Sequence, residues 1–154
     1  MADWPSGVTV VTTADEDGRP WGFTATSFTS LSMNPPMILV CLAVGAECRR
    51  VFERSHRFAV HILGSEQAEL ARRFATRGAD KFAGLRAPRG VGDVPLIEGA
   101  VARLECRATE RVAGGDHIVL IGTVHRVALG EAEPLVYHRR AFHRLPSAVR
   151  PQAA

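Results

Sequence analysis

Between Gly22 and Ala43 the chain runs for more than twenty residues without a charge, GFTATSFTSLSMNPPMILVCLA, and Pro35-Pro36 cuts the run in two. Asn34-Pro35-Pro36 and the many hydroxyls rule out a membrane span. The first half is small and hydroxylated: Thr24, Ala25, Thr26, Ser27, Thr29, Ser30. Such side chains let a ligand approach the backbone and supply neutral hydrogen-bonding groups. The second half, Met37 to Leu42, is a short apolar run and reads as a strand buried on both faces. A polar cradle beside a buried strand suggests a ligand site on a β scaffold. A Thr/Ser-rich edge strand with no ligand fits the same residues.

The flanking segments read as more strands. Gly7 to Thr13 is β-branched. Asp15 to Pro20 is a turn with Asp17-Gly18 as the hairpin signal, and Trp21 to Phe28 is the antiparallel return. Ala46 to His56 is expected as a short helix with Cys48, Val51 and Phe52 on one face. Arg57 to Leu63 follows as a strand, with His61 a hydrogen-bonded core histidine. Ser65 is placed as the N-cap of a second helix reaching Thr76, whose apolar stripe is Leu70, Ala71, Phe74 and Ala75. Asp80 to Pro95 reads as a long surface loop. Ala100 to Arg111 alternates, Gly114 to His117 is a tight turn, and Ile118 to Val127 and Leu135 to His138 are strands. About seven strands and two short helices predict one all-β domain, a barrel with helices over its ends, spanning residues 1–145. The remainder, 146–154, is Pro- and Ala-rich and is expected to be a mobile tail.

At 154 residues with 46% hydrophobic content the chain is long enough for a real core. A formal net charge of +3, scattered arginines and few aromatics argue against nucleic acid as a partner. Cys41, Cys48 and Cys106 are odd in number and lack C-x-x-C spacing, which argues against a disulfide framework and a thiolate zinc site and suits a reducing cytoplasm. No secretory signal pattern opens the chain. P-loop, Rossmann, nucleophile-elbow and H-E-x-x-H signatures are absent, and His138 and His143 share no face, so no metal is expected. His117, after Gly114-Gly115-Asp116 at the mouth of a hairpin, would face a ligand lying against the sheet. An exposed turn histidine fits that position too. Arg73 and Lys81 could each reach a phosphate or remain solvated.

Five segments in order, G-F-T-A-T-S-F, P-P-M-I-L-V-C-L, A-D-K-F-A-G, L-I-E-G-A-V-A-R-L-E-C and G-D-H-I-V-L-I-G-T-V, resemble the short-chain flavin reductases of two-component monooxygenases, those of actinomycete antibiotic biosynthesis above all. The resemblance covers about Trp4 to Phe142. It implies an FMN-binding split β-barrel of antiparallel Greek-key type, a homodimer with flavin near the subunit interface, and hydride transfer from NADH (or NADPH) to FMN or FAD. Reduced flavin would then pass to a monooxygenase. It places Gly22, Phe23 and Thr24 to Ser27 around the flavin, with Cys41, Leu42 and Ala43 at the ring edge. Arg73, Phe74 and Lys81 go to the phosphate or adenylate end, and His117 to the nicotinamide. The protein's share of the chemistry is to stack and orient two rings and screen them from water.

Two positions depart from the family pattern. Cys48 stands where a serine commonly helps hold the flavin phosphate, and a thiol is a poor substitute donor; Arg49 or Arg50 would compensate by charge. His61 stands where a core asparagine or serine is common. Two other readings share the scaffold: a split-barrel flavoprotein acting on another substrate, such as a pyridoxamine phosphate, and a non-catalytic flavin- or tetrapyrrole-binding module.

Overall fold

The computed structural model describes residues 2–145, so the tail expected at 146–154 lies outside the described residues. Within them, ten strands and two helices follow one another: β1 (Ser6–Gly7), β2 (Thr9–Ala14), β3 (Pro20–Ala25), β4 (Thr29–Met33), β5 (Pro36–Ala43), α1 (Arg49–Arg54), β6 (Arg57–Ile62), a single 3-10 turn (Ser65–Gln67) running into α2 (Ala68–Ala75), β7 (Ala102–Gly114), β8 (His117–Leu129), β9 (Leu135–His138) and β10 (Ala141–Arg144). Seven strands form one sheet in the order β3-β2-β6-β7-β8-β5-β4, and β1-β9-β10 form a small second sheet. Every pairing between these strands is antiparallel.

The large sheet coils into a split barrel. Its interior brings together Val11 of β2, Phe23 and Ala25 of β3, Ile38, Val40 and Leu42 of β5, Phe58 and Val60 of β6, Cys106 of β7, and Ile118 and Leu120 of β8. Phe52 of α1 enters the same core and meets Phe23 edge-on at 5.0 Å. The two edge strands, β3 and β4, are consecutive in sequence and do not pair with each other. Ser27, in their connection, bridges the split: its Oγ accepts the Cys41 N–H of β5 at 2.9 Å.

Three expectations change. First, β5 is not buried on both faces: Ile38, Val40 and Leu42 point inward, while Met37, Leu39 and Cys41 are half-buried. The strands buried on both faces are β2 and β6; on β2, α2 and the small sheet cover the outer face with Ala71, Phe74 and Leu135 around Val8 and Val10. Three threonines of β2 survive burial by donating to carbonyls, Thr9 to Ala25 at 2.9 Å, Thr12 to Pro95 at 2.6 Å and Thr13 to Arg57 at 2.7 Å.

Second, only α1 plugs a barrel end; α2 lies against the outside of β3 and β2. Its start is held by Gln67, whose Oε1 accepts the Gly64 N–H at 2.9 Å, and Ser65 does not cap it.

Third, the loop after α2 is not all surface. Val94, Leu96 and Ile97 are buried, and the segment is strapped to β7 by Val91 N–H donating to Glu105 Oε2 at 2.8 Å. Two short strands, β4 and β10, lie in stretches that read from sequence as a break and as a chain end.

Candidate functional site

A cleft of about 1020 Å³ opens beside the split. One wall is β3 and its continuation, Arg19 to Ser27. The opposite wall is the end of β5, Cys41 to Ala43, with Gly45 to Cys48 leading into α1. Phe74 and Ala75 of α2, the following Arg77 to Phe82, and His117 complete it. Gly22, Phe23, Thr24, Ala25, Thr26, Ser27, Cys41, Leu42, Ala43, Cys48, Phe74, Lys81 and His117, all singled out from the sequence, therefore meet in one place.

Arg73 does not line the cleft. It is half-buried, and its guanidinium donates to the Ala83 carbonyl at 2.9 Å, tying the loop back to α2. A helix side chain one position before Phe74 points away from the face Phe74 occupies. Arg49 and Arg50 offer no compensating charge either: Arg49 pairs with Glu53 at 2.9 Å, and neither lines the cleft.

The hydroxyl cradle is also partly committed elsewhere. Thr24 Oγ1 donates to the Ala71 carbonyl at 2.7 Å and so fixes α2 to β3. Ser27 is spent on Cys41. Thr26, exposed on the wall, is the cradle hydroxyl most open to a ligand. Because β3 is an edge strand, half of its backbone N–H and C=O groups have no strand partner, which adds donors along the wall. Gly22 matters for packing: a Cβ there would lie 2.7 Å from the Phe74 ring, so only glycine lets that ring close the floor of the cleft. Phe82 meets Phe74 edge-on at 5.1 Å and extends the same apolar floor.

Charge is confined to the margins. Trp21 Nε1 donates to Asp15 Oδ2 at 2.8 Å, and the Arg19 guanidinium lies 4.9 Å from the indole centroid. The indole hydrogen bond holds the Asp15 carboxyl below its ordinary range. Arg77, Lys81, Asp80 and Glu47 stand along the α2 side. Lys81 Nζ donates to the Thr76 carbonyl at 2.8 Å. Cys48 is buried at the cleft wall, and burial pushes its thiol up to about 11 against the opposing pull of Lys81, so it stays a neutral, weak donor at pH 7.

His117 opens β8. Gly114 and His117 pair directly across a two-residue turn, Gly115-Asp116, in which Gly115 takes φ +70. Its Nδ1 lies 2.7 Å from Asp116 Oδ1. This bond and the neighbouring imidazole hold the Asp116 carboxyl below its usual range. With Nδ1–H given to Asp116, Nε2 is the ring nitrogen left for a ligand. The side chain lines the cleft with 44% of its surface exposed, so its position fits both a ligand-facing histidine and an exposed turn histidine.

Glu47, Arg77 and Arg19 also line the cleft and carry no signal in the sequence motifs that single out the rest of the site. Glu47 and Arg77 are thirty residues apart in unrelated elements, and no spacing connects them. Trp21 has a usable signal, an aromatic next to the glycine that opens the uncharged stretch.

A cleft of this volume with a small-residue wall, an apolar floor and cations at its margin has the room and donor set for a flat heteroaromatic ring carrying a phosphate. The chain belongs to the flavin reductase family: the flavin reductase like domain matches residues 1–146. It is 47% identical to the actinorhodin polyketide dimerase of Streptomyces coelicolor, over 96% of this chain and 84% of that protein. It is 42% identical to the NADH:riboflavin 5'-phosphate oxidoreductase of Streptomyces pristinaespiralis, over 93% of this chain and 83% of the relative. Among solved structures, the Streptomyces globisporus NADH:FAD oxidoreductase SgcE6, in complex with NAD and FAD fragments, superposes with a TM-score of 0.90 at 35% identity, covering 96% of this chain and 90% of that one.

Proposed function

We propose that this chain is an NAD(P)H:flavin oxidoreductase that passes hydride from NADH to FMN or FAD and supplies the reduced flavin to a partner monooxygenase. The observation that carries this reading is the cleft, which gathers the small-residue wall of β3, the backbone of Cys41 to Ala43 and His117 around one space. Relatives named as reductase components of monooxygenases support the same reading. A bound flavin supplies the hydride acceptor. The chain's own work is to hold the ring against the Thr24–Ser27 wall, to orient the donor through His117 Nε2, and to keep water out with Phe74 and Phe82. NADH oxidation followed by its near-ultraviolet absorbance, with and without added FMN or FAD, tests this. Turnover that rises with free flavin supports the reading, and a rate indifferent to flavin refutes it.

The outer face of β5 and its neighbours supports a homodimer. Leu39 and Ile121 face each other across β5 and β8, half-buried, and Leu31 and Met33 on the edge strand β4 are exposed, Met33 by 85%. Edge strands with apolar side chains are usually covered. The expected sedimentation mass at micromolar concentration is twice the 16.7 kDa of the chain. Met33→Asp should shift it toward the monomer. Three free cysteines, two of them buried, suit the reducing cytoplasm where such a reductase would work, and among the described residues no helix is long and apolar enough to cross a membrane.

Cys48 sets an upper limit on how tightly flavin is held. A serine hydroxyl at this buried wall position would donate where the neutral thiol does so weakly. Cys48→Ser is expected to tighten FMN about 2- to 10-fold, the range of one ordinary hydrogen bond. Quenching of flavin fluorescence on titration measures it; unchanged or weaker affinity would show that position 48 does not face the phosphate.

A further inference from the structure

Glu47 occupies a place in the cleft that its charge makes unexpected. It stands next to Cys48, on the side of the cleft that also carries the cations Arg77 and Lys81. Its carboxylate oxygens accept from the Gly78 N–H at 3.1 and 3.2 Å, and Oε1 lies 3.8 Å from Arg77 Nε. Gly78 lies three residues past the end of α2 and takes φ +73, a conformation that favours glycine. A backbone N–H from a left-handed glycine together with a guanidinium is a donor set suited to a phosphate monoester. In this chain a carboxylate of the protein itself takes it.

We infer that Glu47 is an intramolecular stand-in for the flavin phosphate, a residue that sets how much the phosphate contributes to binding. This rests on the flavin reading of the cleft. An incoming phosphate either displaces the carboxylate from Gly78 and Arg77 or lies beside a like charge. Both lower the phosphate's contribution while leaving ring contacts on the Thr24–Ser27 wall untouched. The consequence is a site that distinguishes poorly between FMN and riboflavin, which lacks the phosphate, and releases its flavin readily. A reductase that delivers reduced flavin to another protein needs such release.

The test is a pair of titrations, FMN and riboflavin, on the full chain and on Glu47→Gln, followed by flavin fluorescence at low salt and at about 0.5 M salt. The substituted amide keeps one oxygen for the Gly78 N–H, removes the charge and replaces the second oxygen by an N–H donor. The ratio of the riboflavin to the FMN dissociation constant is expected to be within about threefold of unity in the unmodified protein, the mark of a phosphate that adds little. In the variant it should rise about 5- to 20-fold, all of it through tighter FMN, and the gain should shrink at high salt. Glu47→Ala should shift the ratio in the same direction. A ratio unchanged in both variants overturns the inference, as does weaker FMN binding in both, which would make the Glu47–Gly78 bond a builder of the subsite. Either result leaves the flavin reading standing. Failure of both flavins to bind the unmodified protein refutes the flavin reading itself, and this inference with it.

Discussion

Lowering the pH from neutrality to about 4 is expected to remove about 3 kcal/mol of folding stability through one side chain, His61. The imidazole is fully buried between β2 and the strap after α2: Nδ1 lies 3.0 Å from the Val10 carbonyl and Nε2 lies 3.1 Å from the Ile97 nitrogen. The carbonyl can only accept and the amide can only donate. This fixes the neutral tautomer with its proton on Nδ1 and leaves no site for a second proton. Burial lowers the pKa from 6.5 to about 4, against the opposing effect of the Val10 bond. The folded value lies below the unfolded one, so between them the unfolded chain binds the extra proton. The stabilisation is therefore complete above pH 6.5 and is lost as the pH falls toward 4. A shift of this size corresponds to roughly 3 kcal/mol. Urea unfolding at neutral pH and at about pH 5 should already show about 2 kcal/mol of it. His61→Asn, neutral at every pH, should flatten the dependence over this window; an equal slope in the variant would place the sensitivity elsewhere.

The second large effect is expected in catalysis. His117→Ala should lower kcat/KM for NADH about 5- to 150-fold, equivalent to about 1–3 kcal/mol for a lost hydrogen bond to the reacting pair. Flavin affinity should change little, because the cradle of β3 and the end of β5 remain. Asp116→Asn should give a smaller decrease by loosening the ring whose Nδ1 it holds at 2.7 Å. Steady-state kinetics and flavin titration on the same preparations separate the roles. Loss of flavin binding with normal NADH kinetics per bound flavin would move His117 to the flavin subsite. No change in either would make it a bystander at the cleft mouth.

Much of the site can be read from order along the chain. The uncharged run from Gly22, the Pro35-Pro36 break and the Gly115-Asp116 turn each dictate local geometry: a strand, a change of direction and a hairpin. Those local choices put Thr26, Ala43 and His117 near one another as soon as β3, β5 and β8 lie around one barrel. His61 in an apolar strand is legible as a bonded core histidine because a lone polar group in such a run needs a partner. What it bonds to is not legible, since Ile97 comes from a loop with no periodicity.

Tertiary structure decided which faces are covered and which hydroxyls are free. Alternation tells that a strand has two faces; it does not tell what lies against each. Thus β2, with three threonines, became buried on both faces because α2 and the small sheet pack on it, while the more apolar β5 kept one face partly open. Thr24 and Ser27 were drawn into holding α2 and β5, and Arg73 into holding a loop, by partners at least ten residues distant. The meeting of Glu47 with Gly78 and Arg77 arises the same way. Where two partners lie thirty residues apart, as Glu47 and Arg77 do, the path of the whole chain brings them together, and spacing along the sequence carries no record of it.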